Sequence, residues 1–283
     1  MTGTRRNKES AMKKKSLLQQ AAGAPYIVWA ALFIIIPLFI VVYYAFTDKS
    51  GAFTMANIAS LADYKETFLI SFEYAFIASL ICLAISYPFA YIMSRKGPAA
   101  QRIMMMLVML PMWMNLLIRT YSWMNILERN GIINNILAGF GMEPLKMIGT
   151  PGAVIFGMIY NYIPYMIIPI YNVMSKIEPS LLEAAEDLGS GSLSKLRRVI
   201  LPLSMPGVIS GFTMVFVPSV STFYISQKLG GGKVMLIGDA IERQMQTSYN
   251  YNLGASLSLV LMVVILVSMV ILNRFAGDDD LLI

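Results

Sequence analysis

Glu183, Glu186 and Asp187 lie within little more than one helical turn of each other, and Lys195, Arg197 and Arg198 follow closely. They belong to residues 178–206, the one long polar interruption in an otherwise apolar second half. At helical spacing the carboxylates share one side, while Leu181, Ala184, Ala185 and Leu188 share the other. Ser180 followed by Glu183 reads as a capping box, Pro179 stands just upstream, and Gly189 is placed to end the helix. The chain holds no histidine, so imidazole acid–base chemistry and a Ser/His/Asp triad are excluded. The chemistry left to this stretch is recognition: a short capped helix, exposed between apolar segments, against which another protein docks.

Other reactive groups are few. Cys82 is the single cysteine, set in an apolar run, which rules out intrachain disulfides and cysteine/histidine zinc sites. It reads as a lipid-facing or packed small residue. No phosphate-binding GxxxxGK[ST] loop occurs; Gly230-Gly231-Gly232-Lys233 continues into Val234 and reads as a turn. The chain therefore has no means of hydrolysing ATP, and energy for any active process must come from another subunit or an ion gradient. Within apolar runs stand Arg119 with Asn115 and Tyr121, and Asn161 with Tyr160 and Tyr162. Such groups are expensive in hydrocarbon and face a bundle interior or a polar path. Three readings stand for Arg119: it contacts substrate, it snorkels outward, or it pairs with Glu128 or an external carboxylate.

The elements that carry these residues are membrane helices. Hydrophobic residues make up 57% of the 283-residue chain and charged residues only 13%, against roughly 25% in a soluble domain. Mean hydropathy is +0.64. The net charge of +6 lies at the flanks of apolar runs, where the positive-inside rule accounts for it better than nucleic acid would. Six runs near the ~20 residues that a bilayer requires fall at 25–46, 72–94, 103–127, 152–175, 199–226 and 253–275. Residues 1–24 read as an uncleaved basic tail, and 53–71 as an external segment with a short surface helix. Residues 276–283 form an acidic tail. With the amino terminus inside, cytoplasmic segments hold about twice as many Lys and Arg as external ones. The expected fold is an all-α integral membrane protein of six transmembrane helices, both termini cytoplasmic, with residues 72–275 as its core. Pro111, Pro164, Pro169, Pro202, Pro206 and Pro218 cluster in the third to fifth spans, which suits a broken-helix core lining a pathway.

Glu183-Ala184-Ala185, then Gly189, then Val199-Ile200-Leu201-Pro202, resembles the EAA loop of binding-protein-dependent ABC importer permeases. The departure is Val199 where that pattern has isoleucine. NLLIRTYSW (115–123), YNYIPYMIIPIY (160–171), PSLLEAAEDLG (179–189) and VPSVSTFYISQKLGGG (217–232) resemble spermidine/putrescine importer permeases, of the PotB-like kind. The resemblance implies a type I ABC importer permease (MetI-like) fold in a bacterial inner membrane. It also implies a second, PotC-like permease, a dimeric PotA-like ATPase and an extracytoplasmic, PotD-like polyamine-binding protein. ATP-Mg would then bind the ATPase and no cofactor this chain. The coupling residues it implies are Leu181, Glu183, Ala184, Ala185, Leu188 and Gly189, in a loop of about 178–202. The helix would bury Leu181, Ala185 and Leu188 in a groove on the ATPase.

A polyamine is a flexible polycation, best held by carboxylates and aromatic faces. Path candidates are therefore Glu128 and Asp239, with Glu73 and Glu242 beside them, and the rings of Trp113, Tyr121, Trp123, Tyr160, Tyr165 and Tyr224, with Asn115 nearby. A permease for another small solute would share the same loop. An ion-coupled secondary transporter would instead show inverted repeats and a buried coupling carboxylate, and the sequence offers neither clearly.

Overall fold

A backbone surrounded by hydrocarbon has no water to bond, so apolar runs of this length close their own hydrogen bonds as helices. The computed structural model describes residues 25–274; the basic tail 1–24 and the acidic tail 276–283 lie outside them. In chain order the helices are α1 (Pro25–Ala45), α2 (Ala56–Ser94), α3 (Pro98–Trp113) and α4 (Leu116–Leu127). There follow α5 (Ile132–Gly139), α6 (Pro151–Met174), α7 (Pro179–Asp187) and α8 (Ser192–Ser221). The last are α9 (Tyr224–Leu229), α10 (Ile237–Glu242) and α11 (Tyr251–Arg274). Five of these, α1, α2, α6, α8 and α11, are each long and apolar enough to cross a membrane.

The third apolar run departs from the expected single span. It is broken at Met114 and Asn115, and the segments on either side meet at 90°. Both residues are extended, with ψ of 145° and 131°. Pro111 cannot donate to the turn before it, and Asn115 caps α4, its Oδ1 accepting from the Leu117 N–H at 2.7 Å. Expectation and structure also differ at other ends. The second helical stretch starts at Ala56 rather than near 72, and the fifth begins at Ser192 and stops at Ser221. Pro202 is carried just after a widened turn at Leu196–Ile200, which absorbs the missing N–H.

Helices α2, α6 and α8 pack most extensively and form the centre of the bundle. Gly207 and Gly211, one turn apart on α8, make this possible. A Cβ at Gly207 would lie 2.8 Å from the Pro169 carbonyl oxygen, and one at Gly211 would lie 3.0 Å from that of Met166. The two backbones therefore touch where any side chain would hold them apart. Around this contact Cys82, Met166, Ile170, Met174, Ile200 and Val215 are buried, which makes Cys82 a packed core residue. The α1 helix is mostly exposed and pairs with α11. Ser256 Oγ donates to the Ala45 carbonyl at 3.0 Å, and Asn252 Nδ2 to that of Thr47 at 2.7 Å.

Candidate functional site: the α7 segment and the polar path

At one end of the bundle α6 runs out into α7. Arg95, just past α2, donates to the carbonyls of Met174 and Ile177 at 3.3 and 3.4 Å, so a cation covers the end of α6. Proline has a preset φ and no N–H, so Pro179 takes the first position of α7 and Glu178 becomes its cap. That places Ser180 one residue inside the helix, and the expected Ser180–Glu183 capping box does not form. Ser180 Oγ instead donates to Glu178 Oε2 at 3.2 Å. The far end of α7 is as expected. Gly189 has φ of +76°, its N–H reaches the Glu186 carbonyl at 2.8 Å, and Ser190 N–H reaches that of Ala185 at 3.0 Å. This pair of bonds is a Schellman motif, which needs a residue that tolerates the left-handed region.

The faces of α7 are distributed differently from the simple spacing argument. Ala185 is buried within the chain itself, and Leu182 packs against the Met174, Ile177 and Ile200 cluster. Leu181, Glu183 and Ala184 face outward, and Leu188, the capping residue, is 87% exposed. Leu181, Ala184 and Leu188 therefore form its exposed apolar side, while Ala185 anchors the helix from behind. Lys195 in the first turn of α8 pairs with Glu186. Gly191 caps that turn, and its carbonyl accepts from Lys195 N–H at 2.9 Å. A four-residue turn plus this ion pair thus joins α7 to α8, and α8 is seated on α6 through its two glycines.

The path candidates gather around the opposite half of α6. Trp123 on α4 meets Phe156 and Tyr160 on α6 edge-on, at centroid distances of 4.6 and 5.2 Å. Tyr162 and Tyr165 lie 6.4 Å apart. Tyr121 on α4 faces Tyr224 on α9 at 6.1 Å, with Lys228 Nζ over both rings. The other candidates stand elsewhere. Asn115 is the cap of α4. Trp113 is 76% exposed and borders a groove of about 440 Å³ with Met105, Met109 and Tyr171. Glu128 is an exposed residue just past α4. Glu73 is likewise exposed.

Arg119 does not snorkel, and among the described residues it has no ion-pair partner. It is buried on α4, and its Nε and Nη1 atoms have no hydrogen-bond partner. Helix α4 packs against α6 and α9, with Arg119 on its enclosed side. Asn161, also buried, donates to the Gly157 carbonyl at 2.8 Å, while its Oδ1 is unpartnered. Asp239 is buried near the start of α10, outside the spans. Its Oδ2 accepts from Leu236 N–H at 2.8 Å and its Oδ1 has no donor. Burial, reinforced by nearby Glu242, pushes its carboxyl up to about 6. Asp239 and Glu242 border a groove of about 370 Å³, and Gln227 Nε2 donates to Glu242 Oε2 at 3.0 Å. Sequence reasoning missed Gly207 and Gly211, although their G-x-x-x-G spacing was readable. It counted Lys228 only as a flanking charge.

Residues 86–277 match the family described as binding-protein-dependent transport system inner membrane component. The chain belongs to this family. The matched region contains the broken helix pair, α7 and the aromatic cluster. The chain is 37% identical over 245 residues to the spermidine/putrescine transport system permease protein PotB of Haemophilus influenzae, covering 83% of this chain and 86% of that one. It is 35% identical to the PotB of Escherichia coli strain K12, covering 83% and 90%. A crystal structure of a bacterial ABC transporter that imports the acidic polysaccharide alginate has a similar chain, with a TM-score of 0.77 at 18% identity, covering 95% and 98%. A crystal structure of a bacterial alginate ABC transporter in complex with an alginate-pentasaccharide-bound periplasmic protein gives 0.75 at 17% identity, covering 93% and 95%. The fold is therefore that of an ABC importer permease, and this family member is a component of the inner membrane. A secondary transporter built on inverted repeats is set aside by the same matches.

Proposed function

We propose that this chain is the permease subunit of an ATP-driven importer of polyamines such as spermidine and putrescine. It supplies half of the translocation path and passes on work done by a separate ATPase. The observation that carries the reading is the placement of α7. An exposed helix bearing Glu183, Ala184, Ala185 and Gly189 sits between two membrane helices and is tied to α8 by the Glu186–Lys195 pair. ATPase closure would push on Leu181, Ala184 and Leu188, and Ala185 and Leu182 would carry the displacement into the bundle. The side chains remain in fixed packing while the helices move as bodies. The asymmetry of basic residues supports α7 and both ends of the chain on the cytoplasmic face.

The PotB relatives support the substrate class. The aromatic faces around α4, α6 and α9 suit an alkylammonium, whereas Arg119 would repel one. The assembly would comprise a second, PotC-like permease, a PotA-like ATPase dimer that holds ATP-Mg, and a PotD-like binding protein; this chain itself would hold no cofactor. Proteoliposomes containing that complex should take up labelled spermidine when ATP is enclosed, unaffected by collapse of proton or sodium gradients. Uptake that follows an ion gradient, or competition by an unrelated solute but by no polyamine, would sink this reading.

A further inference from the structure

We propose that Tyr121 and Tyr224 form an ammonium-binding subsite, and that Lys228 is its resident cation until a substrate ammonium takes its place. The proposal rests on the polyamine reading above. The rings meet at 78° with centroids 6.1 Å apart. Lys228 Nζ stands 5.1 Å from the centre of Tyr121 and 5.7 Å from that of Tyr224. Both distances fall inside the ~6 Å within which a cation is drawn to a ring face. Among the described residues no carboxylate pairs with this lysine, and the one ion pair is Glu186–Lys195, at the α7 end of the bundle.

The two rings come from different elements, so the subsite exists only while α4 and α9 are held together. Ile225 and Leu229 hold α9 by packing into the notch at Gly157 on α6. Tyr121 is 42% exposed, which leaves the pair open to an incoming molecule. A lysine ammonium on its methylene stem is chemically the end of a polyamine: a primary ammonium on an alkyl chain. A pair of rings that accepts one accepts the other, and the exchange of like for like costs little. That suits a path, where binding must be strong enough to admit a cation and weak enough to release it. While it is in place, Lys228 also opposes entry of small inorganic cations by its charge.

The test uses the assembled complex in lipid nanodiscs and an amine-acylating reagent, with modification of each lysine read by peptide mass spectrometry. Because spermidine's own primary amines consume reagent, the rate is read as a ratio to Lys233, and saturating spermidine should raise that ratio for Lys228 by roughly three- to tenfold, the equivalent of releasing one or two cation–π contacts. Magnesium at equal charge should not, and Lys233 serves as the control in both arms. Lys228→Met should increase spermidine retained by the complex by a similar factor; a lysine that is only a strut would leave retention unchanged. A complex that transports spermidine with Lys228 modification unaltered overturns the exchange and leaves the polyamine function standing. A complex that transports no polyamine overturns both.

Discussion

Asp239 has one carboxylate oxygen satisfied by the Leu236 N–H and one enclosed without a donor. Because its carboxyl lies near 6 in the folded chain against an ordinary 3.8, the native state binds more protons than the unfolded state between those values. Stability therefore falls as pH rises through this window and stays reduced above it, by up to about 3 kcal/mol. Asp239→Asn keeps an acceptor for Leu236 and removes the charge. Its thermal unfolding midpoint in nanodiscs should be flat from pH 4.5 to 7.5 and exceed that of the unsubstituted chain at pH 7.5; identical pH profiles would refute the account. Arg119 makes a second residue-scale prediction. Two of its guanidinium nitrogens are enclosed without acceptors, and Arg119→Met breaks no side-chain hydrogen bond or ion pair among the described residues. The isolated subunit should unfold at the same or a higher temperature, and a fall of several degrees would reveal an ion pair that the chain does not show.

At the scale of the element, α7 has two faces with separable duties. Leu188→Ser alters an exposed side chain, so the permease should keep its thermal stability while its co-purification with the ATPase drops severalfold. Ala185→Leu instead overfills a buried position, destabilising the permease itself by about 1–3 kcal/mol. If both substitutions gave the same loss of stability, the assignment of faces would be wrong. Gly189 governs how α7 ends. A leucine at φ of +76° costs about 1–2 kcal/mol and loosens both Schellman bonds. Gly189→Leu and Glu183→Ala should therefore weaken ATPase association and uptake without affecting membrane insertion, and unchanged uptake in both would remove α7 as the coupling element.

For the whole molecule, the seam between α8 and α6 decides whether the bundle assembles. At Gly207 the neighbours include the Pro169 carbonyl oxygen and the Ile170 Cα, main-chain atoms of a helix that cannot rotate away, with the Val173 side chain beside them. Gly207→Leu should force α8 off α6 and disconnect α7 from the path. The expected outcome is a protein that reaches the membrane but is cut by limited proteolysis and fails to join its complex. Gly139→Leu, at a position where an added Cβ meets nothing within 4 Å, is the matched control.

The apolar runs, the α7 segment and the family were legible in the residues themselves. Bilayer thickness sets the length of a run, helix periodicity sets a local face, and a cap depends on residues within one turn. Local rules reached their limit where distant contacts compete. The spacing of Ser180 and Glu183 fits a capping box, yet Pro179 claims the helix start. Ala185 shares a stripe with Leu181, yet the cluster of Met174, Ile177 and Ile200 draws that side of α7 inward. Pro111 and Asn115 marked a weakness in the third run, but its 90° turn depends on α4 finding α6 and α9 to pack against. That turn also enclosed Arg119 and brought Tyr121 to Tyr224 and Lys228, residues more than a hundred positions apart. Local sequence thus determined which segments are helical and apolar enough to span a membrane. Which polar groups meet inside was decided by tertiary packing alone, because side chains from separate helices share no periodicity along the chain.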